Sequence, residues 1–380
     1  MPEVVVVGAG VIGASVAWHL RKLGVRDVLL LERGAAPAQG STGRATGGFR
    51  AQFGTEVNVR LSLLAREKLL RFEEETGVDP GFRQAGYLWL ASTEAQLLQL
   101  REAQRAQHAA GLREAKMLAA AEIAQLNPFV RAAGFAGAAF CPTDGFLKPV
   151  EILRGYLQGE RVQFGAEVVG IERRGGRIET VQLADGSLIP AGLVVDAAGP
   201  WAAEVARLAG EELPVAPLRR QVAVTAETSA LPPEMPMTIF VEDGFHLRVR
   251  EGRVLLLRPT PGDARDAGSV EVDPEWIAQT QATAAARIPA LSGVPIDTGR
   301  CWAGLYEMSP DKHALLGRAS ACENLFFCNG SSGHGVMHAP ALGQLLAEII
   351  VHGAARSLDV RALRPSRFAE GEPNRAPEIL

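Results

Sequence analysis

The sequence predicts an α/β fold of roughly two domains, with a helix-covered parallel sheet near its start and antiparallel strands farther along. Residues 3–32 follow the order strand, glycine-rich turn, helix, strand, which is typical of the first unit of a parallel sheet. Residues 193–201 read as a second buried strand, ending in small residues, that can return to this sheet from far along the chain. Residues 237–258 read as antiparallel strands, with Glu251-Gly252 as a hairpin turn. A chain of 380 residues corresponds to about two domains.

Composition and charge exclude several classes of protein. The chain has 43 acidic and 39 basic side chains, a net charge of −4 and 47% hydrophobic residues, so it lacks the basic footprint of a nucleic-acid or acidic-membrane binder. No apolar run approaches ~18 residues, and the opening MPEVVVVGAG lacks the basic region of a signal peptide. The 4 cysteines have no metal-ligand spacing. We therefore expect a globular, cytoplasmic protein without a metal site, a membrane span or a nucleic-acid partner.

The N-terminal glycines match a dinucleotide fingerprint. Residues 8–13 read GAGVIG, directly after the strand at 3–7 and before an amphipathic helix. In this Rossmann-like arrangement the three glycines permit a tight turn, close approach of a pyrophosphate and close helix–strand packing, in that order. Glu32 ends the next strand and can accept hydrogen bonds from a ribose 2′-hydroxyl, whereas it would repel a 2′-phosphate and so disfavours NADP. The pattern predicts an adenine dinucleotide and leaves FAD and NAD open.

Three later segments bear on the choice between FAD and NAD. The glycine-rich stretch 40–50 can bring backbone N–H groups against a flat ring or a second phosphate, and it also fits a flexible surface loop. The predicted strand at 193–201 ends in small residues, which leave room for a cofactor. Residues 329–335 form a second glycine-rich start, before a helix pattern at 336–352. The positive end of that helix can face the pyrimidine edge of a flavin, or it can simply lie at a domain boundary. Together these segments favour FAD.

The candidate cofactor-binding residues lie in these segments and at two isolated positions, 168 and 304. They are Gly8, Gly10, Val11, Ile12, Gly13, Glu32, Arg33, Gly40, Ser41, Thr42, Arg44, Thr46, Gly47, Gly48, Val168, Ala198, Gly199, Trp201, Gly304, Gly330, Gly333, His334, Gly335 and Val336.

The order and spacing of these motifs resemble the D-amino acid oxidase superfamily of FAD-dependent oxidoreductases. Within it the sequence is most similar to the branch of sarcosine oxidase β subunits, dimethylglycine dehydrogenase, glycine oxidase and dye-linked proline dehydrogenase. The motifs that carry the resemblance span nearly the whole chain: GAGVIG at 8–13 with Glu32, Gly40-Ser41-Thr42, VVDAAGPW at 194–201, WAGLYEMSPD at 302–311 and SGHG at 332–335.

The resemblance implies two interleaved domains. Residues 1–85, 145–215 and 300–375 would form a Rossmann-like FAD-binding domain. Residues 86–144 and 216–299 would form an α+β substrate domain, whose antiparallel sheet would cover the flavin.

The resemblance also implies a reaction. The protein would oxidise the C–N bond of a small secondary or tertiary amino acid such as sarcosine, dimethylglycine or proline, by hydride transfer to flavin N5 and hydrolysis of the imine. Three alternatives stay open: a glycine or D-amino acid oxidase, an FAD-binding subunit of a heteromeric amine dehydrogenase, and an NAD-dependent dehydrogenase. The electron acceptor, whether O₂ or a partner subunit or carrier, and a homo- or hetero-oligomeric state also stay open.

Four residues are candidates for catalysis. Arg50 matches the arginine that anchors the substrate carboxylate in sarcosine oxidases, and it can also be a surface or phosphate contact. Tyr306 matches a tyrosine of sarcosine-type enzymes, where D-amino acid and glycine oxidases have an arginine, or it simply packs as an aromatic. His246 can contact the substrate or tune its amine pKa, or it is a half-exposed strand residue. Met337 replaces a lysine that helps O₂ accept electrons in the oxidases, so we expect a dehydrogenase.

The residues through which related enzymes attach flavin covalently are absent. Monomeric sarcosine oxidases use a cysteine two residues before the tyrosine, where this chain has Gly304, and Cys301 is out of register. Dimethylglycine dehydrogenases use a histidine where this chain has Arg44. We therefore expect FAD to bind non-covalently.

Overall fold

The computed structural model describes residues 2–131, 134–260, 268 and 270–375. The α-helices there are α1 Val11–Lys22, α2 Ser41–Arg44, α3 Glu56–Leu70, α4 Phe72–Thr76, α5 Glu94–Ala109, α6 Ala120–Leu126, α7 Pro149–Leu157, α8 Ala202–Leu208, α9 Pro274–Arg287 and α10 Gly335–His352. The strands are β1 Val4–Val7, β2 Val28–Glu32, β3 Gly48–Phe49, β4 Tyr87–Ala91, β5 Lys116–Leu118, β6 Gly137–Cys141, β7 Gly145–Phe146, β8 Arg161–Phe164, β9 Val168–Arg174, β10 Arg177–Leu183, β11 Leu188–Pro190, β12 Leu193–Asp196, β13 Ala216–Val224, β14 Met237–Phe240, β15 His246–Arg250, β16 Arg253–Leu257, β17 Trp302–Met308, β18 Leu315–Arg318 and β19 Leu325–Asn329.

A six-stranded sheet, in the order β18-β19-β12-β1-β2-β8, forms the first layer of the fold. Strand β1 lies inside it, with β2 and β12 parallel on either side. Along β1, Val4 and Val6 pack into the core on one face, whereas Val5 and Val7 pack into the core on the other. A strand buried on both faces needs apolar residues at every position, which explains the unbroken valine run. The predicted return of the strand at 193–201 to this sheet is confirmed, although the strand there, β12, ends at Asp196.

Helices α1 and α10 pack against each other on one face of the six-stranded sheet. Gly343 of α10 lies so close to α1 that a Cβ there would be 2.2 Å from Ser15 Oγ. The Ser15 hydroxyl donates to the carbonyl oxygen of Ala339 over 2.7 Å, which joins the helices at the same place. Because each helix follows a parallel strand, both glycine-rich helix starts lie at the carboxyl edge of the sheet.

An eight-stranded sheet, in the order β17-β13-β16-β15-β14-β4-β6-β5, forms the second layer. Strands β14, β15 and β16 are antiparallel neighbours, as predicted for residues 237–258. Glu251 and Gly252 turn the second hairpin with φ of 53° and 69°, the left-handed conformation of tight turns that match strand twist. Strand β4 pairs in parallel with β14, so this sheet combines strands from distant parts of the chain.

Strand β17 connects the two layers. It pairs antiparallel with β13 over residues 302–308. At its end Met308 also forms a β-bridge with Ser331, in the loop after β19 of the six-stranded sheet. The segment 300–375 therefore contributes one strand to the eight-stranded sheet as well as β18, β19 and α10 to the other layer. The domain bounds given above stay a proposal.

The starts of helices α5 and α8 show how local sequence patterns compare with the structure. The spacing of Thr93 and Gln96 predicts a capping box at the start of a helix. Helix α5 begins there, where the Thr93 hydroxyl accepts the Gln96 N–H and the Gln96 side chain accepts the Thr93 N–H. Proline favours the first position of a helix, so the sequence predicts that a helix starts at Pro200. Pro200 lies instead in a 3-10 turn, Gly199–Trp201, that leads into α8. Among the residues described, no helix combines the length and apolarity required to cross a membrane.

Candidate cofactor and substrate site

A cavity of about 900 Å³ lies between the carboxyl edge of the six-stranded sheet and the eight-stranded sheet. This volume is in the range of cofactor and ligand sites. The four catalytic candidates, Arg50, His246, Tyr306 and Met337, all line it. The cofactor candidates that line it are Gly8, Gly10, Val11, Ile12, Glu32, Arg33, Gly40, Ser41, Thr42, Arg44, Thr46, Gly47, Gly48, Val168, Ala198, Gly199, Trp201, Gly304, Gly333, His334, Gly335 and Val336.

Two cofactor candidates, Gly13 and Gly330, stand behind the cavity wall. A Cβ on Gly13 would lie 1.9 Å from the carbonyl oxygen of Gly8, so Gly13 permits the close packing of α1 on β1. A Cβ on Gly330 would lie 3.1 Å from Leu315 Cδ1. Both glycines shape the loops that form the wall, and neither is among the residues that line the cavity.

The turn between β1 and α1 has the geometry of a phosphate loop. Gly8 has a φ of 100°, and a Cβ there would lie 2.5 Å from the carbonyl oxygen of Ala197. Helix α1 begins after Gly10, which supplies no side-chain cap, and the Val11 N–H donates to Thr42 Oγ1 over 3.1 Å. The positive end of α1 therefore lies at the cavity, where a pyrophosphate can bind.

The Glu32 carboxylate is held in place at the end of β2. Its Oε2 accepts the Ala9 N–H over 3.0 Å, and its Oε1 accepts the Gly34 N–H over 2.8 Å. Each carboxylate oxygen has a further lone pair for a ribose hydroxyl. Beside it, the Arg33 guanidinium lies 4.3 Å from the centroid of the Trp201 ring. This end of the cavity suits an adenosine.

The glycine-rich stretch that contains α2 is a packed wall of the cavity and not a flexible surface loop. The Ser41 hydroxyl donates to the carbonyl oxygen of Leu305 over 2.8 Å. The Trp302 indole N–H donates to the carbonyl oxygen of Arg44, also over 2.8 Å. A Cβ on Gly304 would lie 3.1 Å from Arg44 Cβ. Helix α2, a single turn within a predicted loop, is thus fixed on β17.

Arg50 presents a fixed positive charge to the cavity. Its guanidinium carbon lies 3.8 Å from the centroid of the Phe53 ring and 5.3 Å from that of Trp89. Its Nη1 donates to the carbonyl oxygen of Gln52, and its Nη2 donates to His334 Nε2 over 3.2 Å. Burial lowers the pKa of Arg50 to about 10, so the side chain is still a cation at neutral pH.

His334 and His246 are neutral at physiological pH. Burial and the nearby charge of Arg50 hold the pKa of His334 well below 6.5, which leaves its Nε2 as the acceptor for Arg50. Burial also lowers the pKa of His246. His246 Nδ1 lies 2.8 Å from the carbonyl oxygen of Gly244 and donates its proton there. The other ring nitrogen of His246, Nε2, is therefore an acceptor.

Tyr306 and Met337 lie close to Arg50. The Tyr306 ring packs on Gly333, where a Cβ would be 2.5 Å from Tyr306 Cε2. Burial raises the pKa of Tyr306, so its hydroxyl stays protonated. The buried Met337 side chain places its sulfur 3.4 Å from the Arg50 backbone nitrogen, whose N–H it accepts. Position 337 therefore holds a neutral side chain.

Sequence reasoning missed several residues that line the cavity. Tyr87 and Trp89 of β4 are two residues apart and so share one face of the sheet. The Trp89 indole N–H is buried and has no hydrogen-bond partner among the residues described. Arg220 and Glu307 also line the cavity. The alternating aromatic residues of β4 are a sequence signal that two side chains share one face of a strand. No local pattern marks Arg220 or Glu307 as part of the site.

Two buried carboxyl groups lie near the ends of β12 and β17. Burial raises the pKa of Asp196 to about 8 and that of Glu307 to about 7. Asp196 Oδ1 accepts the Ala198 N–H over 3.0 Å, and Glu307 Oε1 accepts the Ser331 N–H over 3.2 Å. In the described part of the chain, no three or more His, Cys, Asp or Glu side chains are grouped to hold a metal ion.

The residues present fit FAD. The phosphate loop at Gly8, the Glu32 carboxylate and the second glycine-rich helix start at Gly335 line one continuous cavity. The partnerless buried atoms Trp89 Nε1 and Glu307 Oε2 leave hydrogen-bonding groups for ligands. An extended dinucleotide with a flat ring at its end matches this arrangement.

Similar proteins of known name cover nearly the whole chain. FAD-dependent oxidoreductase domain-containing protein 1 of Xenopus laevis is 28% identical over 98% of this chain and 83% of its own. Mitochondrial dimethylglycine dehydrogenase of Mus musculus is 29% identical over 97% of this chain, which spans 44% of that protein. The crystal structure of L-proline dehydrogenase from P. horikoshii has a TM-score of 0.90 at 28% identity, covering 98% of this chain and 99% of that one.

The model of the FAD-dependent oxidoreductase family matches residues 3–349. This match confirms the predicted superfamily, the Rossmann-like α/β fold and FAD as the cofactor, and it excludes the NAD-dependent alternative. The chain belongs to the family of FAD-dependent oxidoreductases.

Proposed function

We propose that this protein oxidises the C–N bond of a small secondary or tertiary amino acid of the sarcosine, dimethylglycine or proline type. The observation that carries the proposal is the fixed Arg50 guanidinium, in a cavity that also places neutral His246 and Tyr306 side chains. The similar proteins support it by their names, since dimethylglycine dehydrogenase and L-proline dehydrogenase act on amino acids of this class.

Arg50 is suited to bind the substrate carboxylate. A guanidinium has five N–H donors in a planar fork, and the contacts to Gln52 and His334 fix that plane while other donors stay available. A carboxylate can then bind in a charge-assisted, bidentate manner. The Trp89 ring lies beside the guanidinium, and its partnerless N–H can donate to the same carboxylate.

His246 is suited to remove the proton from the substrate amine. A secondary amino acid enters as an ammonium at neutral pH, and a hydride leaves only the carbon beside a neutral amine. His246 Nε2 can accept the ammonium proton because Nδ1 keeps its own proton on the Gly244 carbonyl oxygen. When bound, FAD supplies flavin N5 as the hydride acceptor, and water hydrolyses the imine that results.

Tyr306 favours a secondary or tertiary amine over a primary one. The resemblance places an arginine at this position in glycine and D-amino acid oxidases, where it binds the substrate carboxylate. Here the side chain is a protonated phenol packed on Gly333, so Arg50 takes over the carboxylate. Oxidation of glycine or D-amino acids is the alternative that this position disfavours.

We further propose that the protein is a dehydrogenase, which passes electrons to a partner subunit or carrier more readily than to O₂. A positive charge beside a reduced flavin stabilises nascent superoxide. Met337 supplies no charge, and its sulfur is occupied by the Arg50 N–H.

We also propose that FAD is held non-covalently. Gly304 and Arg44 lie side by side in the cavity wall. Gly304 has no side chain, and the Arg44 guanidinium is neither the thiol nor the imidazole through which the related enzymes attach flavin. The Cys301 thiol accepts the Val224 N–H and is not among the residues that line the cavity.

Substitution of Arg50 tests the carboxylate site. In an Arg50→Met variant we expect kcat/KM to fall about 100-fold for proline or sarcosine, because a charge-assisted hydrogen-bonded pair is lost. Pyrrolidine and dimethylamine, which lack the carboxylate, serve as matched control substrates and should change by less than about threefold. Equal losses for an amino acid and its control amine would show that Arg50 does not bind the carboxylate.

A pH profile of kcat/KM tests His246. The wild-type protein should lose activity only as pH falls below the ordinary histidine value of 6.5, because burial lowers the pKa of His246 and the ring accepts a proton only when neutral. In a His246→Asn variant the acid limb should move upward towards the pKa of the free amine, about 10. An unchanged limb in the variant would remove His246 from this role.

Reoxidation kinetics test the electron acceptor. We expect the anaerobically reduced protein to reoxidise slowly in air-saturated buffer, and a Met337→Lys variant to reoxidise about tenfold faster or more because of its added charge. Met337→Leu is the neutral control and should match the wild type. Rapid reoxidation of the wild type would identify an oxidase.

A further inference from the structure

Glu307 is a buried carboxyl group in the cavity wall with one oxygen that has no partner. The residue is 8% exposed and lines the cavity. Its Oε1 accepts the Ser331 N–H, whereas Oε2 has no hydrogen-bond partner among the residues described. Buried polar atoms are nearly always hydrogen-bonded, because leaving one unpaired costs free energy. The vacant acceptor therefore indicates a ligand atom that donates to it.

The surroundings of Oε2 leave room for such a ligand. The atom closest to a Cβ built on Gly199 is Glu307 Oε2, at 3.9 Å. Gly199 has a φ of 59° and no side chain, so the space between the two residues is open on the Gly199 side. Burial raises the pKa of Glu307 to about 7, and the Ser331 hydroxyl together with the N–H groups of Ser331 and Gly330 acts in the opposite direction. The Ser331 hydroxyl oxygen, like Glu307 Oε2, has no hydrogen-bond partner among the residues described, so it is also open to a ligand. A neutral donor suits this group better than an anion does.

The position along the sheet identifies which part of FAD reaches Glu307. Strands β2, β1, β12 and β19 are successive neighbours in the six-stranded sheet. Their carboxyl ends carry, in this order, Glu32 for the ribose, Gly8 for the pyrophosphate, Gly199, and Ser331, the hydrogen-bond partner of Glu307. FAD has the linear order ribose, pyrophosphate, ribityl chain, flavin. Residues 197 and 198 adjoin the phosphate loop, since a Cβ on Gly8 would lie 2.5 Å from the carbonyl oxygen of Ala197 and 3.1 Å from Ala198 Cα. An extended FAD with its pyrophosphate at Gly8 would therefore pass Gly199 and Ser331 with the segment that follows the pyrophosphate, which is the ribityl chain.

Tyr306, the residue before Glu307, marks the substrate end of the cavity. Tyr306 packs on Gly333 near Arg50, at the substrate end of the cavity. Glu307 thus lies between the pyrophosphate loop and the substrate end, where the cofactor offers three hydroxyl groups as donors. We propose that the Glu307 carboxyl group binds FAD by accepting a hydrogen bond from a ribityl hydroxyl through Oε2.

Titration of the apoprotein with FAD analogues tests this proposal independently of activity. The probes are FAD and its 2′-, 3′- and 4′-deoxyribityl analogues, with flavin fluorescence as the readout. The wild type should bind one of the three analogues about tenfold more weakly than FAD, because one hydrogen bond to a carboxyl group is lost. A Glu307→Met variant should bind FAD about tenfold more weakly, and it should no longer discriminate against that analogue.

Glu211→Met is the matched control. Glu211 is also 8% exposed and also accepts one backbone N–H, from Ala321, but it is not among the residues that line the cavity. This variant should keep the affinity for FAD and the discrimination of the wild type. If Glu307→Met fails to fold, Glu307→Ala replaces it with the same expected results, because alanine also lacks a side-chain acceptor. Equal binding of FAD and all three analogues by the wild type would overturn the proposal, as would a variant that keeps the wild-type discrimination.

Discussion

The contact that β17 makes with both layers is the interaction on which the site depends. Its hydrogen bonds to β13 place it in the eight-stranded sheet. Its backbone and side chains also bind the glycine-rich stretch that follows β2, through Ser41 to Leu305 and through Trp302 to Arg44. At its end Met308 bridges to the loop that precedes α10. The cavity is the space enclosed by these contacts, so cofactor loop and substrate face cannot move apart without breaking them.

Electrostatics within this space follow from burial. His246, His334 and Tyr306 are neutral because charging them in a desolvated site is unfavourable. Arg50 keeps its charge, since burial lowers its pKa only to about 10. The result is a fixed cation next to neutral acceptors and donors, which suits a zwitterionic substrate that must keep its carboxylate charge and lose its ammonium proton. Burial also separates Glu307 Oε2 from water, so this oxygen requires a hydrogen-bond donor from a ligand.

Sequence patterns predicted the parts of the site that are local in the chain. The phosphate loop, Glu32 and the second glycine-rich helix start follow from spacing alone, because each sits within one strand–turn–helix unit. Tyr87 and Trp89 were not predicted as site residues, because they reach the cavity through the parallel pairing of β4 with β14, a contact between segments that are distant in the chain. The local sequence does not distinguish Glu307 from an exposed carboxylate on a strand, because its burial depends on the loop after β19. Gly13 lies behind the cavity wall, where it permits the close helix–strand packing that the fingerprint predicts, and Gly330 also lies behind the wall.

Anaerobic bleaching of the flavin tests whether the protein oxidises secondary or tertiary amino acids. The holoprotein would be mixed without O₂ with sarcosine, dimethylglycine, L-proline, glycine and D-amino acids, and the visible absorption of oxidised flavin followed. We expect a secondary or tertiary amino acid to bleach the flavin, whereas glycine and D-amino acids should not. Bleaching by glycine or a D-amino acid alone, or by none of the panel, would contradict it.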